Sequence, residues 1–206
     1  MKIGTCVNFS EIDGMEKKFA QLREHNFDSC QLVSWNPAAW TDENASLLKT
    51  LLEQYQITVS AFWCGWSGPA AWNFYDGQLT LGLVPVEYRQ MRIENLCDGA
   101  DFAHKLGITD VVTHMGFIPE NPYDPNFSSF CIAVRTVAEH LKKNGQCLLF
   151  ETGQETPVTM LRCFEAVGTD NLYVNLDTAN LILYGKANPA DALDVFGKYV
   201  RNLHAK

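Results

Sequence analysis

Three residues suited to bind a cation each close an apolar run. Glu151 ends Leu149-Phe150-Glu151, Asp177 ends Asn175-Leu176-Asp177 and His204 ends Asn202-Leu203-His204. An unpaired charge beside buried apolar residues is costly, so three in succession imply a shared counter-charge. Two carboxylate oxygens and an imidazole nitrogen suit one divalent ion: Mn²⁺, Mg²⁺, Co²⁺ or Zn²⁺. The chemistry such a centre serves is proton transfer next to a carbonyl, with the ion polarising oxygens and a carboxylate moving the proton. Glu151 is the candidate catalytic carboxylate. A single acid at a strand end is as readily the N-cap of the next helix. Recurrence on three successive runs is what favours a metal centre.

Other residues fall near the same ends. His114, in Val112-Thr113-His114-Met115-Gly116, reads as a substrate or supporting hydrogen-bond partner, against the rival of a satisfied core histidine. Glu155 reads as a partner for a substrate hydroxyl or a solvated loop charge. Trp35, Trp63 and Trp66, with Phe62 and Trp72 nearby, can wall a substrate site or simply pack the core. The stretch 65–85, with Gly65, Gly68 and Gly77, is expected to be an extended loop able to act as a lid. Lys206 is assigned either to the face opposite His204 or to a loop contact.

The elements that must position these residues alternate regularly. Apolar, β-rich runs cover 2–8, 29–35, 57–64, 110–116, 147–153, 172–178 and 200–206. Most are continuous rather than alternating, as in strands buried on both faces of a parallel sheet. Amphipathic stretches at 15–25, 41–55, 86–106, 127–143, 157–167 and 189–196 separate them. Thr41 with Asp42 and Glu43 forms one helix start, and Gly107, Gly145 and Gly168 mark helix ends. Strand starts near 2, 29, 57, 110, 147, 172 and 200 make four of six intervals 25–28 residues long, a βα period. No Gly-rich phosphate loop follows any strand, which disfavours a nucleotide-binding sheet and leaves a (β/α)8 TIM barrel. A full barrel takes roughly 250 residues. The expectation is therefore one α/β domain over 1–206, an incomplete TIM barrel of about seven strands lacking helix 7, strand 8 and helix 8.

Composition narrows the partners. With 47% apolar residues the chain can bury a large core, and a net charge of -8 without a basic cluster speaks against nucleic acid. No run of 18 apolar residues offers a membrane span. Seven scattered cysteines without a C-x-x-C pair read as reduced thiols in a cytoplasmic protein. Association into a homo-oligomer is left open.

These motifs give the sequence a resemblance to the xylose-isomerase-like TIM-barrel superfamily of sugar isomerases and epimerases. The matching stretches are Phe150-Glu151-Thr152, Leu176-Asp177-Thr178-Ala179-Asn180 and Leu203-His204-Ala205-Lys206. His114-Met115-Gly116 looks like the His-x-Gly that often closes strand 4. The resemblance implies a divalent ion held by Glu151, Asp177 and His204 with a further Glu from an eighth strand. In the epimerase branch, it implies that the strand 5 and strand 8 glutamates act as an acid/base pair. Asn180 stands where that branch often has a His contacting substrate. The implied activity is metal-dependent isomerisation or epimerisation of a sugar, sugar phosphate or hydroxy-ketone through an enediolate. An endonuclease-IV-like phosphodiesterase and a non-catalytic binding barrel are the rival readings. The first lacks the extra histidines and basic face it would need.

Overall fold

The apolar runs fold as seven parallel strands, each separated from the next by helix, in a computed structural model that describes residues 2–206. Chain order is β1 (Thr5–Asn8), α1 (Met15–Glu24), β2 (Ser29–Ser34), α2 (Asp42–Gln54), β3 (Thr58–Cys64), α3 (Gly77–Thr80), α4 (Val86–Lys105) and β4 (Asp110–Thr113). Then follow α5 (Pro125–Lys143), β5 (Cys147–Glu151), α6 (Pro157–Val167), β6 (Leu172–Asp177), α7 (Thr178–Leu183), α8 (Pro189–Phe196) and β7 (Val200–His204). Each strand pairs with its neighbour in sequence, and the sheet curls into a partial TIM barrel with β1 and β7 at its edges. The curl brings inner-face side chains of distant strands together: Gln31 Nε2 on β2 donates to Asn175 Oδ1 on β6 at 3.0 Å.

Period-two alternation sorts the strand residues into two layers. Leu32, Phe62, Val111, Leu148, Phe150, Val174 and Leu176 face outward and join Phe19, Leu48, Phe102, Phe130 and Phe164 of the helices in the main core. Ala61, Trp63, Val112 and Leu149 face inward and form a second cluster inside the barrel, flanked by Val33, Trp35 and Tyr173. Continuous apolar runs are thus two faces of burial at once.

Helix boundaries follow their caps. Thr41 Oγ1 accepts from Asn44 N–H at the start of α2, and Gly168 ends α6 in the left-handed region at φ 70°. α5 starts at Pro125, two residues before the expected 127, because Asp124 accepts from Asn126 N–H and proline occupies the first turn. α3 and α7 are short helices in stretches expected to be loop or strand end. The expected strands 110–116 and 147–153 overrun, since the ladder stops at Thr113 and Glu151 where the chain turns into the barrel mouth. All seven cysteines are free, and no described helix is long and apolar enough to cross a membrane.

The barrel floor is tied by charge. The β6–β7 register shifts after Val174, leaving Arg201 as an extra residue opposite no partner. Its Nε donates to Asp110 Oδ2 at 3.1 Å, its Nη2 lies 3.0 Å from Oδ1, and its guanidinium lies 4.7 Å from the Tyr173 ring. Arg201→Met leaves the buried Asp110 carboxylate uncompensated, at an expected cost of about 2 kcal/mol after allowing for the partial exposure of Arg201. Denaturant unfolding measures it, and adding Asp110→Asn is expected to restore most of the loss. A single variant as stable as the parent would show that the pair holds nothing.

Candidate metal centre

Glu151, Asp177 and His204 are the last residues of β5, β6 and β7. Glu151 shares the inward face with Leu149, and Asp177 shares it with Asn175, by strand alternation. Register pairs Asp177 with His204, which end side by side, and Glu151 with Asn175, so Glu151 sits two residues deeper on the same inner face of the mouth. Each offers one ligand atom, and those atoms lie within 4.8 Å of one another. His204 Nδ1 is 2.8 Å from Glu151 Oε1 and 3.5 Å from Asp177 Oδ2.

The strand ends are locked before any ligand arrives. Thr152 Oγ1 donates to the Asp177 carbonyl at 2.9 Å and accepts from Asp177 N–H at 2.8 Å, fixing β5 against β6. Asn175 Nδ2 donates to Glu151 Oε2, and Gln31 holds Asn175 in turn. Asp177 fulfils both roles open to a strand-end acid. Its Oδ1 caps α7 by accepting from Asn180 N–H at 2.9 Å, while Oδ2 turns to the centre.

Both carboxylates are essentially without solvent, Glu151 at 1% and Asp177 at 0% exposure. Burial raises the Glu151 carboxyl above its usual range, and hydrogen bonds from His204 and Asn175 pull it back. His204 is pushed up to about 10 by its hydrogen bond with Cys6 first and with Glu151 second. The Lys206 ammonium pairs with Asp177 Oδ2 and donates to Asn180 Oδ1 at 3.1 Å. Two buried carboxylates thus gather every positive charge within reach. A divalent ion fits the same donors, since the carboxylates supply two hard oxygens and His204 a nitrogen.

A cavity of about 470 Å³ opens beside the centre. Trp35, Trp63, Trp72, His114, Asn180, Glu151 and His204 line it, with Cys6, Val33, Leu183, Tyr184 and Lys206. Trp35 is the hub of the aromatic wall, with ring centroids 5.1 Å from Trp63 and 5.9 Å from Trp72. His114 Nδ1 lies 3.1 Å from Gln154 Oε1, and burial drives its pKa to about 3. The imidazole is neutral, and with Nδ1–H donating to Gln154 its Nε2 is left as an acceptor.

Two expected site residues do not line the cavity. Trp66, 3% exposed, packs against Trp35 at 5.0 Å and is not on the cavity surface. Glu155, 2% exposed, is neither a solvated loop charge nor a cavity-lining group, because the loop after β5 folds its side chain inward. Lys206 stands two residues beyond His204, on the same side rather than the opposite one, which is why it reaches Asp177. Cys6, on β1, escaped the sequence reading. Its Sγ is 3.8 Å from His204 Nε2, a contact across the two sheet edges that no local pattern announces. Tyr184 and Leu183 were also unforeseen, since the short helix α7 carries them to the rim.

A parallel α/β barrel whose consecutive strand ends present carboxylate, carboxylate and imidazole defines the class. The family model for xylose isomerase-like TIM barrels matches residues 19–206, and the chain belongs to that family. No curated protein sequence matches it. Among solved structures it is similar to a xylose isomerase domain protein from Planctomyces limnophilus, at 28% identity and TM-score 0.90, over 98% of this chain and 72% of that one. An L-ribulose 3-epimerase shares the fold at 22% identity and TM-score 0.74, over 100% and 70%. So does a xylose isomerase-like protein from Mycobacterium smegmatis in complex with magnesium, at 20% identity and TM-score 0.70, over 95% and 67%.

The buried Glu155 carboxyl lacks a well-formed hydrogen bond, and burial pushes its pKa from 4.5 to about 8. The folded state therefore keeps a proton that the unfolded chain releases between those values, and stability falls as pH rises through the window. The slope is about 1.4 kcal/mol per pH unit. Glu155→Gln has no proton to lose, so its advantage over the parent is expected to grow from about pH 5 to about pH 8. Unfolding midpoints of both proteins across that range test it, and a pH-independent difference would refute the assignment.

Proposed function

We propose that this protein is a divalent-metal-dependent isomerase or epimerase of small sugars or hydroxy-ketones. The observation that carries the reading is the meeting of Glu151, Asp177 and His204 beside a tryptophan-walled cavity. Relatives of this fold include an L-ribulose 3-epimerase and a protein solved with magnesium, which agrees with both halves of the proposal. The seven free thiols agree with a reducing, cytoplasmic setting.

When bound, a divalent ion at this centre supplies Lewis-acid polarisation of a substrate carbonyl. Glu151, its side chain already aimed by Asn175, takes the proton from the adjacent hydroxyl-bearing carbon. A proton delivered to the former carbonyl carbon, with the hydroxyl proton passing to the old carbonyl oxygen, isomerises the sugar. One delivered to the opposite face of the carbon that lost it epimerises the sugar. Asp177 and His204 hold the charge centre in place. His114, through its free acceptor nitrogen, and Asn180 take sugar hydroxyls. Trp35, Trp63 and Trp72 cover the C–H face of the ring and exclude water. Trp66 supports this wall from behind.

Proton transfer of this kind is worth about 10²–10⁴ in rate. With Mn²⁺ or Mg²⁺ present, the protein is expected to exchange the C–H hydrogen next to the carbonyl of a free ketose with D₂O, followed by NMR. Glu151→Gln is expected to lose exchange by that factor, and Asp177→Asn to weaken Mn²⁺ binding seen by electron paramagnetic resonance. A Glu151→Gln protein with parental exchange would remove the assigned acid/base, and undiminished Mn²⁺ binding by Asp177→Asn would remove the centre.

A further inference from the structure

The β3–α4 connection carries Trp66 and Trp72 and falls in the stretch expected to be an extended loop able to act as a lid. One buried guanidinium ties it down instead. Arg92 of α4 is fully buried, and among the described residues no carboxylate pairs with it. Its donors go to three backbone carbonyls: Nη1 to Gly82 at 2.6 Å, Nη2 to Pro69 at 2.8 Å and Nε to Ser67 at 3.4 Å. Its Cζ lies over the Trp66 and Tyr88 rings, 5.1 and 4.9 Å from their centroids. Ser67 and Pro69 belong to the entry limb of the loop and Gly82 to its exit limb, so the fork staples the two limbs together.

The exit limb is anchored further. Gly82 sits at φ 66° against the Met115 carbonyl, where an added Cβ would lie only 2.0 Å from the backbone. Arg89, three residues before Arg92, donates from Nε to the Leu83 carbonyl and from Nη2 to the Val84 carbonyl, both at 2.6 Å. The entry limb gains one more tie, Ser67 N–H to Asn95 Oδ1 at 2.8 Å. Only the entry limb leads to the cavity. Trp66 backs Trp35, and Trp72 reaches the His114 ring at 4.9 Å.

We propose that Arg92 is a positioning residue for ligand binding: its fork and its cation–π contact with Trp66 hold the tryptophan wall at a fixed distance from the mouth, and the loop is a fixed wall rather than a lid. The ligand-binding half rests on the proposed function. The planar, three-way geometry demands guanidinium, because a lysine ammonium cannot span carbonyls on both limbs.

Arg92→Lys and Arg92→Met test it, with D-fructose as a neutral ketose probe. Both are expected to raise acrylamide quenching of tryptophan fluorescence. Both are expected to raise KM for exchange about tenfold, the value of roughly one good interaction, with Met worse than Lys. kcat and Mn²⁺ affinity stay within about twofold, which general damage would not allow. Unchanged quenching, unchanged KM, or equal losses in KM, kcat and Mn²⁺ affinity would overturn the proposal. Should either variant fail to fold, amide exchange of the parent decides: protection over 67–83 like that of α4 supports the staple, and free-loop exchange overturns it. If the parent binds no ketose, the proposed function fails, while quenching and amide exchange still judge the staple.

Discussion

Two buried carboxylates at the ends of adjacent parallel strands govern this molecule. Glu151 and Asp177 are cut off from water, and His204 and Lys206 turn toward them. Charge of one sign at that depth is tolerable only beside charge of the other. Much of the surrounding structure follows. Asn175 and Gln31 form a hydrogen-bonded chain that satisfies Glu151, Thr152 locks the two strand ends, and Asp177 spends one oxygen capping α7. The centre is rigid because its supports are backbone and buried amides, not solvent.

The other half of the site is built from apolar surface. Tryptophans on β3, after β2 and in the β3–α4 loop pack over the mouth, tilted between Trp35 and Trp63 and edge to face between Trp35 and Trp72, and His114 completes their row as a neutral ring. Opposing a charged centre with an aromatic wall strengthens electrostatic effects within the cavity by keeping water out. The protein places buried arginines on carbonyls to hold this wall, a use of guanidinium as a multi-point backbone clamp rather than an ion-pair partner.

Legibility in the sequence followed the range of the forces involved. Strand and helix identities were readable because continuous apolar runs, caps such as Thr41 and terminators such as Gly168 act locally. The meeting of Glu151, Asp177 and His204 was readable because parallel neighbours in a βα repeat end on the same side. Cys6 was not, since it reaches His204 across the two edges of the curled sheet, 198 residues away in sequence. Nor was the fate of Glu155 and Trp66, because inward or outward orientation in an irregular loop has no period to read.

What the amino-acid order by itself determined is therefore the βα alternation, the parallel sheet and the end of the sheet at which Glu151, Asp177 and His204 stand. Periodicity and capping are local and survive without knowledge of neighbours. What only the tertiary structure decided is which side chains face the cavity, which are sealed behind it, and how Arg92 binds two distant limbs of one loop. Those outcomes depend on the curvature of the sheet and on the burial of charges, and both arise only when remote segments close on one another.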